Sequence, residues 1–412
     1  MNIVLGVCGS IASYKAYDIC RNFIKDGHSV VVVLTKGATK FILPQTFCYL
    51  GAKASYSFDS DFEVEGLSEK NTVRHVDLCK WMDRLVIAPA TANTIKELAH
   101  GSAYDLLTSI FLTNLSKPCV IYPAMNTSMY QNPLVQKNMD TLSALSHIFI
   151  YPPDVGELAC GDREIGKLPE VDTVCESATC FVTAKNKSKR ILISAGATIS
   201  PLDPVRYLTN SSSGKTGYEL AKAFLKGGHK VSVIAGKKAT SKLEALLPLP
   251  NFSLSRVITS SEIKEETLKQ LKDCDVFISS AAINDIEFEY HGSKLKKSSL
   301  DGKLDYTKSC DVLSEVLKQR SKSQQIVGFA AESQISEKVL TEKMSSKPVD
   351  LLIGNRVDHG YSGNGETSGF EVDTGSYIFL TKLGKSFEGQ LSKMQLAQKI
   401  YLEVVGSEGH RQ

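Results

Sequence analysis

Two segments of the chain share one pattern of hydrophobic and polar positions: an apolar run, a polar loop, an amphipathic helix and a second apolar run. The first segment covers residues 2–35, with a helix predicted from about Ile11 to Asp26. The second covers residues 190–236. Apolar runs with no alternating polar positions, joined through helices, are typical of parallel strands buried on both faces. The pattern therefore predicts two α/β domains.

A basic and polar stretch at residues 181–190, FVTAKNKSKR, separates the two segments and indicates a linker. A length of 412 residues suits two or three domains that each bury a core. We expect domains at residues 1–184 and 191–412, joined by a linker at residues 185–190. The fold class predicted for both is a doubly wound, Rossmann-like parallel sheet.

Composition excludes several classes of protein. The net charge of +3 argues neither for nor against a large polyanionic partner. No long basic run with interleaved aromatic residues occurs, and no nucleic acid partner is expected. No apolar run approaches 18 residues, and we expect no membrane span. The ten cysteines form no CxxC pair, which favours reduced thiols in a cytoplasmic protein over a disulfide or zinc framework.

Residues 193–217, ISAGATISPLDPVRYLTNSSSGKTG, form a polar loop between a predicted strand and a predicted helix. Backbone N–H groups in such a loop, with a helix N-terminus behind them, can bind an anion. The end of the loop, Gly214-Lys215-Thr216, is similar to a Walker A motif. That motif requires a glycine where Thr209 stands, so we reject it.

The loop resembles the signature of phosphopantothenate–cysteine ligases, carried here by residues 196–198 (GAT), 203–206 (DPVR) and 210–217 (NSSSGKTG). Residues 281–285 and 328–332 are similar to the AA-x-x-D and G-F-A-A-E segments of the same family. The resemblance implies CTP as a substrate, Mg²⁺ with its phosphates, and Asn210 as the residue that handles the acyl-cytidylate. It also implies nucleotide contacts from Asp285, Lys294, Lys308, Ser309, Cys310, Phe329, Lys343 and Lys347. Residues 307–311 read TKSCD where relatives tend to have KNPD.

The loop after the first strand is not a GxGxxG, which disfavours a classical dinucleotide fold. Residues 9–15 (GSIASYK), 85–95 (LVIAPATANTI), 101–109 (GSAYDLLTS) and 123–126 (PAMN) instead resemble the flavin-mononucleotide proteins related to phosphopantothenoylcysteine decarboxylase. The resemblance covers residues 2 to about 170. It implies that FMN is held by Gly9, Ser10, Ile11, Thr35, Ala88, Thr91 and Thr108.

The same resemblance implies three catalytic residues in the first domain. His75 matches the family's catalytic histidine, and Asn126 offers an uncharged amide to the carboxylate that leaves as CO₂. Cys160 lies in the loop that closes over the substrate and is expected to donate a proton. One departure is Lys167, where relatives usually have arginine; lysine keeps the charge but loses the bidentate fork.

The sequence therefore predicts a bifunctional enzyme of the phosphopantothenoylcysteine decarboxylase and phosphopantothenate–cysteine ligase family. FMN, Mg²⁺ and CTP are the expected cofactors and nucleotide substrate, and the protein ligands of the metal are unknown. The resemblance also implies a homo-oligomer, with a dodecamer of trimers joined by ligase dimers as one form. Two alternatives stay open: a flavin-binding regulatory subunit without catalysis, and a ligase with an inactive flavin domain.

Overall fold

The computed structural model divides into two compact units, Met1–Thr183 and Ala184–Gln412. It describes residues 1–62, 73–157, 163–182, 188–296, 303–359, 367–368 and 373–406. Within these ranges, no helix has both the length and the apolar character that crossing a membrane requires.

The first unit is built on a six-stranded sheet in the order β3-β2-β1-β4-β5-β6, with every pairing parallel. A separate antiparallel hairpin, β7–β8, follows it. The strands are β1 Asn2–Val7, β2 Ser29–Leu34, β3 Ala54–Tyr56, β4 Arg84–Ala90, β5 Cys119–Pro123, β6 Ile148–Ile150, β7 Asp154–Glu157 and β8 Arg163–Lys167. The helices are α1 Ala16–Lys25, α2 Pro44–Tyr49, α3 Arg74–Trp81, α4 Ala92–Ala99, α5 Leu106–Thr113, α6 Thr127–Tyr130, α7 Pro133–Ser143 and α8 Val171–Cys180.

The core of this unit follows from the apolar runs in the sequence. All seven residues of β4 are buried, as are five of the six residues of β1. Burial of successive residues means that both faces of the sheet are covered, as the sequence pattern predicts. The strand predicted at Cys119–Pro123 is confirmed by β5.

The helix predicted from Ile11 to Asp26 differs at its start. Residues Ile11–Lys15 form a 3₁₀ turn, and the α-helix α1 begins only at Ala16. The hydroxyl of Ser13 donates to the carbonyl of Cys8 at 2.8 Å, which holds the turn against the end of β1. Side-chain hydrogen bonds of this kind compete with the α-helical pattern.

The second unit contains an eight-stranded sheet in the order β13-β12-β9-β14-β17-β18-β21-β22. The strands are β9 Arg190–Ala195, β10 Ile199–Pro201, β11 Tyr207–Thr209, β12 Lys230–Gly236, β13 Phe252–Val257, β14 Val276–Ser279, β15 Ile286–Phe288, β16 Tyr306–Lys308, β17 Gln325–Glu332, β18 Leu351–Arg356, β19 Asp358–His359, β20 Thr367–Ser368, β21 Thr374–Thr381 and β22 Gly384–Ser392. The helices are α9 Lys215–Lys226, α10 Ser260–Leu271, α11 Val312–Gln319, α12 Glu337–Ser346 and α13 Lys393–Gly406. A 3₁₀ turn covers Ser241–Leu246.

The six strands from β13 to β18 are parallel, and β21 and β22 extend the sheet in antiparallel fashion. The prediction of a parallel sheet is therefore confirmed for these six strands. It did not include the two antiparallel strands at the edge, β21 and β22. The sequence of residues 237–256 predicts a loop with a short helix, but this segment also contains most of β13. The sequence of residues 276–285, VFISSAAIND, predicts one buried strand, but the strand ends at Ser279. The hydroxyl of Ser280 donates to the Ser194 carbonyl at 2.6 Å, beyond the last paired residue.

Gly236 lies at the end of β12, where two backbone segments approach each other closely. A Cβ atom at this position would lie 2.0 Å from the carbonyl oxygen of Ala197. Backbone cannot move aside as a flexible side chain can, so any larger residue must displace the end of the strand.

We expect Gly236→Ala to destabilise the second unit by about 1–3 kcal/mol, the usual cost of overpacking. The midpoint of thermal unfolding should fall by about 2–4 °C for each kcal/mol in a unit of this size. Calorimetry of the full chain measures the change. Gly292→Ala is the matched control, since its Cβ would meet no atom within 4 Å. Equal stability of the two variants would contradict the close approach.

Candidate active sites

A cavity of about 410 Å³ opens in the first unit at the carboxyl ends of β1, β2, β4 and β5. Because β1 pairs with β2 on one side and β4 on the other, the chain leaves these neighbouring strands toward opposite faces of the sheet. Such a switch point is the usual ligand crevice of an open parallel sheet. The cavity is lined by Gly9, Ser10, Thr35, Lys36, Gly37, Thr91, Ala92, Asn93, Thr94, Glu97, Tyr104, Asp105, Thr108, Ala124, Met125 and Met129.

The loops after β1 and β2 touch through two glycines. A Cβ on Gly9 would lie 2.5 Å from the carbonyl carbon of Gly37, and one on Gly37 would lie 3.1 Å from the Cα of Gly9. Side chains at these two positions would push the loops apart. The absence of both side chains leaves backbone amide groups accessible at the cavity floor, as a phosphate-bearing ligand requires.

Helices α4 and α5 begin at the cavity with side-chain caps. The Thr91 hydroxyl accepts from the Thr94 N–H at 3.3 Å, and the Asp105 carboxylate accepts from the Thr108 N–H at 2.9 Å. The Thr108 hydroxyl in turn donates to the Asp105 carboxylate at 2.8 Å. Caps of this kind fix the first turn of each helix, where N–H groups have no partner within the helix. The donor set of hydroxyls and backbone amides suits the phosphate and ribityl chain of a flavin.

Five of the seven residues predicted to bind FMN line this cavity: Gly9, Ser10, Thr35, Thr91 and Thr108. Ile11 and Ala88 do not. Ile11 starts the 3₁₀ turn with 60% of its surface exposed, whereas Ala88 is fully buried within β4. Tyr104, Asp105 and Met129 also line the cavity, although they were not among the residues predicted to bind FMN. Tyr104 and Asp105 stand in the 101–109 segment that carries the resemblance.

The three predicted catalytic residues of the first unit are not all brought together. Asn126 begins α6, and its side-chain oxygen accepts from the Ser128 N–H at 2.9 Å; the preceding Met125 lines the cavity. His75 lies in the first turn of α3, outside the lining of the cavity. Cys160 lies outside the described residues.

The hairpin β7–β8 flanks that cysteine and packs on the loop that carries Asn126. The N–H of Met125 donates to the carbonyl of Gly166 at 3.1 Å. Gly166 has a φ of 137°, and a Cβ there would lie 2.2 Å from the Met125 carbonyl oxygen. The Lys167 ammonium donates to Glu170 at 2.8 Å, which raises the pKa of Lys167. Because lysine lacks the bidentate fork of arginine, the departure at Lys167 predicts weaker clamping of the substrate, and this stays a prediction.

A second cavity, of about 240 Å³, opens in the second unit beyond the ends of β14, β17 and β18. Its wall includes the loop that the sequence singled out and the first turn of α9. It is lined by Asn210, Ser212, Ser213, Gly214, Lys215, Thr216, Ser280, Ala281, Ala282, Ile283, Asp285, Phe329, Ala331, Asn355, Tyr377, Lys393 and Leu396.

The loop reaches α9 through Gly214, which precedes the helix with a φ of 75°. A residue with a left-handed backbone conformation at this position turns the chain so that the N–H groups of the first helical turn face the cavity. The Asn210 amide donates to the Ala282 carbonyl at 3.3 Å, which ties the loop to the segment after β14.

Two lysines and two buried polar atoms complete this cavity. Lys393, at the start of α13, is only 9% exposed; burial lowers the pKa of its ammonium, and the nearby charge of Lys215 lowers it further. Lys215 forms an ion pair with Asp373 at 3.0 Å. The Tyr377 hydroxyl and the Asn355 carbonyl oxygen are buried without a hydrogen-bond partner among the described residues. Burial also raises the pKa of Tyr377 to about 12. A protonated phenol and ammonium groups favour an anion.

Of the residues predicted to handle the nucleotide, Asn210, Asp285 and Phe329 line this cavity. The other six, Lys294, Lys308, Ser309, Cys310, Lys343 and Lys347, do not. Ser309 is nevertheless tied to the site, because its N–H donates to the Asp285 carbonyl at 2.9 Å. Two of these lysines form ion pairs instead: Lys343, in α12, with Glu332, and Lys347, which follows the end of α12, with Asp311 at 2.6 Å. Sequence reasoning missed Tyr377 and Lys393, which reach the cavity from β21 and from the start of α13.

A buried ion pair joins two of the predicted ligase motifs. The Asp203 carboxylate, whose side chain is fully buried, pairs with Arg206 and accepts from the Leu295 N–H at 3.2 Å. The Arg206 guanidinium donates to the Leu295 carbonyl at 2.9 Å. Bonding to Arg206 holds the pKa of Asp203 well below its usual range. The pair therefore fixes the backbone beside Lys294.

No group of three or more histidine, cysteine or acidic side chains in the described parts of either unit is arranged to hold a metal ion. The lysines of the second cavity offer no metal ligands.

The chain matches two family models. Residues 1–183 match the Flavoprotein family, and residues 186–407 match the DNA/pantothenate metabolism flavoprotein C-terminal domain.

Curated relatives match along almost the whole chain. The coenzyme A biosynthesis bifunctional protein CoaBC of Bacillus subtilis (strain 168) is 33% identical over 412 residues, covering 98% of this chain and 96% of the relative. The protein of the same name from Vibrio vulnificus (strain YJ016) is 34% identical, with 99% and 98% covered. That of Escherichia coli (strain K12) is 32% identical, with 98% and 96% covered.

Solved structures resemble single units of the chain. A mutant PPC decarboxylase complexed with pantothenoylaminoethenethiol is 31% identical, with 42% of this chain and 93% of that chain covered and a TM-score of 0.38. The FMN-binding protein AtHal3 is 31% identical, with 42% and 92% covered and a TM-score of 0.37. The C-terminal domain of a CoaBC protein is 24% identical, with 54% and 97% covered and a TM-score of 0.43.

The predictions of a doubly wound α/β fold and of a bifunctional enzyme are thus confirmed. Relatives above 30% identity match nearly end to end, and the two family models together span both units. The chain belongs to the family of coenzyme A biosynthesis bifunctional proteins CoaBC and is a bifunctional decarboxylase and ligase.

Proposed function

We propose that the second unit joins 4′-phosphopantothenate to cysteine with CTP, and that the first unit, with FMN, decarboxylates the product to 4′-phosphopantetheine. The observation that carries the proposal is the pair of cavities at the carboxyl ends of the two parallel sheets, each lined by the motif that resembles the corresponding enzyme. The same resemblance and the Flavoprotein match favour FMN as the cofactor of the first unit.

The first reaction site needs a cofactor for a chemical reason. Loss of CO₂ beside an amide-bearing carbon leaves a carbanion with no electron sink, and FMN supplies the oxidation that creates one and the reduction that follows. The protein supplies binding and proton transfer. Asn126 would hold the departing carboxylate without adding charge, His75 would move a proton, and Cys160 would donate the last one.

The second reaction requires activation of a carboxylate. An oxygen of 4′-phosphopantothenate attacks the α-phosphorus of CTP, the bond to the β-phosphate breaks, and pyrophosphate leaves. The cysteine amine then attacks the acyl carbon, loses a proton and displaces CMP. Negative charge develops on phosphate oxygens in both steps, and cations or N–H groups aimed at them stabilise it. In the second cavity, the N-terminus of α9, Lys215 and Lys393 would stabilise this negative charge.

The proposal also includes a metal ion, an oligomeric state and a cellular location. Mg²⁺ would enter with CTP. A homo-oligomer accords with large apolar side chains exposed on the first unit, among them Leu43 at 64% and Tyr49 at 91%. A cytoplasmic location accords with the cysteines of the described ranges, all of which are free thiols.

We expect the full chain, incubated with 4′-phosphopantothenate, cysteine, CTP and Mg²⁺, to yield 4′-phosphopantetheine, CMP and pyrophosphate. Denaturation should release FMN. Mass spectrometry of the products and fluorescence of the released flavin measure both. Formation of phosphopantothenoylcysteine that is never decarboxylated would leave the ligase proposal standing and contradict that for the flavin unit. Bound flavin with neither product would favour a regulatory subunit.

Asn210→Asp should stop the ligase and leave decarboxylation of supplied phosphopantothenoylcysteine intact. An aspartate cannot donate to the Ala282 carbonyl, and it adds a negative charge beside the phosphates, a repulsion of roughly 1–4 kcal/mol. Measuring pyrophosphate release in the absence of cysteine distinguishes a variant that cannot form the acyl-cytidylate from one that cannot consume it. Ligation at the wild-type rate would remove Asn210 from the mechanism.

Lys393→Met should lower kcat/KM for CTP by about 10- to 100-fold, the range for losing one hydrogen bond to a charged group. An anion in the cavity favours the ammonium form of Lys393, so CTP binding should also weaken in the wild type as pH rises through the lowered pKa of this lysine. Steady-state ligase assays over a range of pH measure both effects. Lys399→Met, six residues further along α13 and outside the cavity lining, is the matched control. Equal loss in both variants would contradict the assignment.

A further inference from the structure

One carboxylate in the first unit binds His75 at two atoms. The backbone N–H of His75 donates to Asp61 at 3.0 Å, and the ring Nδ1 lies 2.8 Å and 3.0 Å from the two oxygens of the same carboxylate. Asp61 is 8% exposed, so the contact is largely shielded from water. The sequence motifs that pointed to the site do not include this residue.

The turn that carries Asp61 is itself held in place. Residues Ser60–Phe62 form a 3₁₀ turn, and the guanidinium of Arg74 donates to the Ser60 carbonyl. Arg74 is 2% exposed and lies over the ring of Tyr56, with 4.4 Å from its guanidinium carbon to the ring centroid. The turn and the first residues of α3 are therefore joined at two points, Arg74 with Ser60 and His75 with Asp61.

Asp61 also replaces the missing cap of α3. Val73 precedes the helix and has no side chain that can accept a hydrogen bond, so the first turn would otherwise leave the His75 N–H without an acceptor. An ionised carboxylate near a helix N-terminus is stabilised by the helix dipole. Both effects keep the carboxylate in the position that meets the ring.

This geometry determines which nitrogen of a neutral His75 ring carries the proton. An ionised carboxylate only accepts hydrogen bonds, so Nδ1 must be the donor. The partner of one ring nitrogen sets the tautomer of the other, and Nε2 is left as the atom that can accept a proton. The side chain of His75 is 26% exposed, so the ring is not fully enclosed by the unit itself.

We propose that Asp61 is a positioning residue for the decarboxylation, holding His75 in the orientation and tautomer that leave Nε2 ready to exchange a proton. The inference rests on the proposed role of His75 and goes beyond it. Asp61 does not touch the substrate in this proposal; it acts through the histidine alone.

Asp61→Asn tests it, because asparagine keeps an oxygen that can cap α3 but presents an N–H₂ group where the ring needs an acceptor. With phosphopantothenoylcysteine as substrate, we expect kcat to fall by about 10²-fold or more, within the range of a positioned acid–base group, while KM and FMN content stay unchanged. Combined with His75→Asn, the variant should cause no further loss, since its partner is already gone. Asp59→Asn is the matched control: it removes the same charge from an exposed neighbouring position and should leave kcat unchanged.

The outcomes separate the two proposals. If His75→Asn abolishes decarboxylation and Asp61→Asn does not reduce it, the inference on Asp61 is wrong and the proposed function stands. If His75→Asn decarboxylates at the wild-type rate, the role of His75 itself is wrong. Nitrogen-15 NMR of histidine in the wild-type protein measures the tautomer of His75 directly, so this test does not depend on whether a variant folds. A proton on Nδ1 in the neutral ring supports the proposal, and a proton on Nε2 overturns it.

Discussion

Both units depend on parallel hydrogen bonding of a central strand to neighbours on its two sides. In the first unit β1 pairs with β2 and β4, and in the second β9 pairs with β12 and β14. Parallel pairing brings the carboxyl ends of these strands to one edge of each sheet, and the connections then diverge to opposite faces. The cavities, the glycine-rich loops and the helix N-termini all lie at that edge.

The two cavities share this origin and differ in electrostatics. The first contains hydroxyls and helix caps around a close contact of Gly9 with Gly37, which suits a neutral, hydroxyl-rich chain that ends in one phosphate. The second has two lysines and a buried phenol against a helix N-terminus, which suits several phosphates. A dehydrated lysine such as Lys393 is costly to keep charged, and its charge is best stabilised when an anion occupies the cavity.

Positioning in both units is done by buried carboxylates that hold backbone rather than ligand. Asp203 and Arg206 fix the chain at Leu295, and Asp61 fixes the first turn of α3 while it meets the ring of His75. A carboxylate with several donors has few alternative arrangements, since moving it would leave N–H groups buried without an acceptor. Such contacts hold the backbone of a loop in one position, as hydrogen bonding does within a helix or strand.

The sequence alone determined the α/β class, the central strands and the loops that line the cavities. An apolar run such as β4 can be recognised from consecutive residues alone. The motif residues Ser10, Thr91 and Asn210 stand directly at the ends of such runs or in the loops beside them. The sequence did not determine which distant side chains join them. Asp61 reaches His75 from a distant turn, and Tyr377 and Lys393 reach the second cavity from the antiparallel edge of the sheet and the helix after it; the placement of all three depends on packing. Lys343 and Lys347 match the family's motif, yet their ammonium groups pair with acidic neighbours. Chain position fixes backbone direction, but electrostatic partners are chosen by distance in three dimensions, which only the tertiary structure decides.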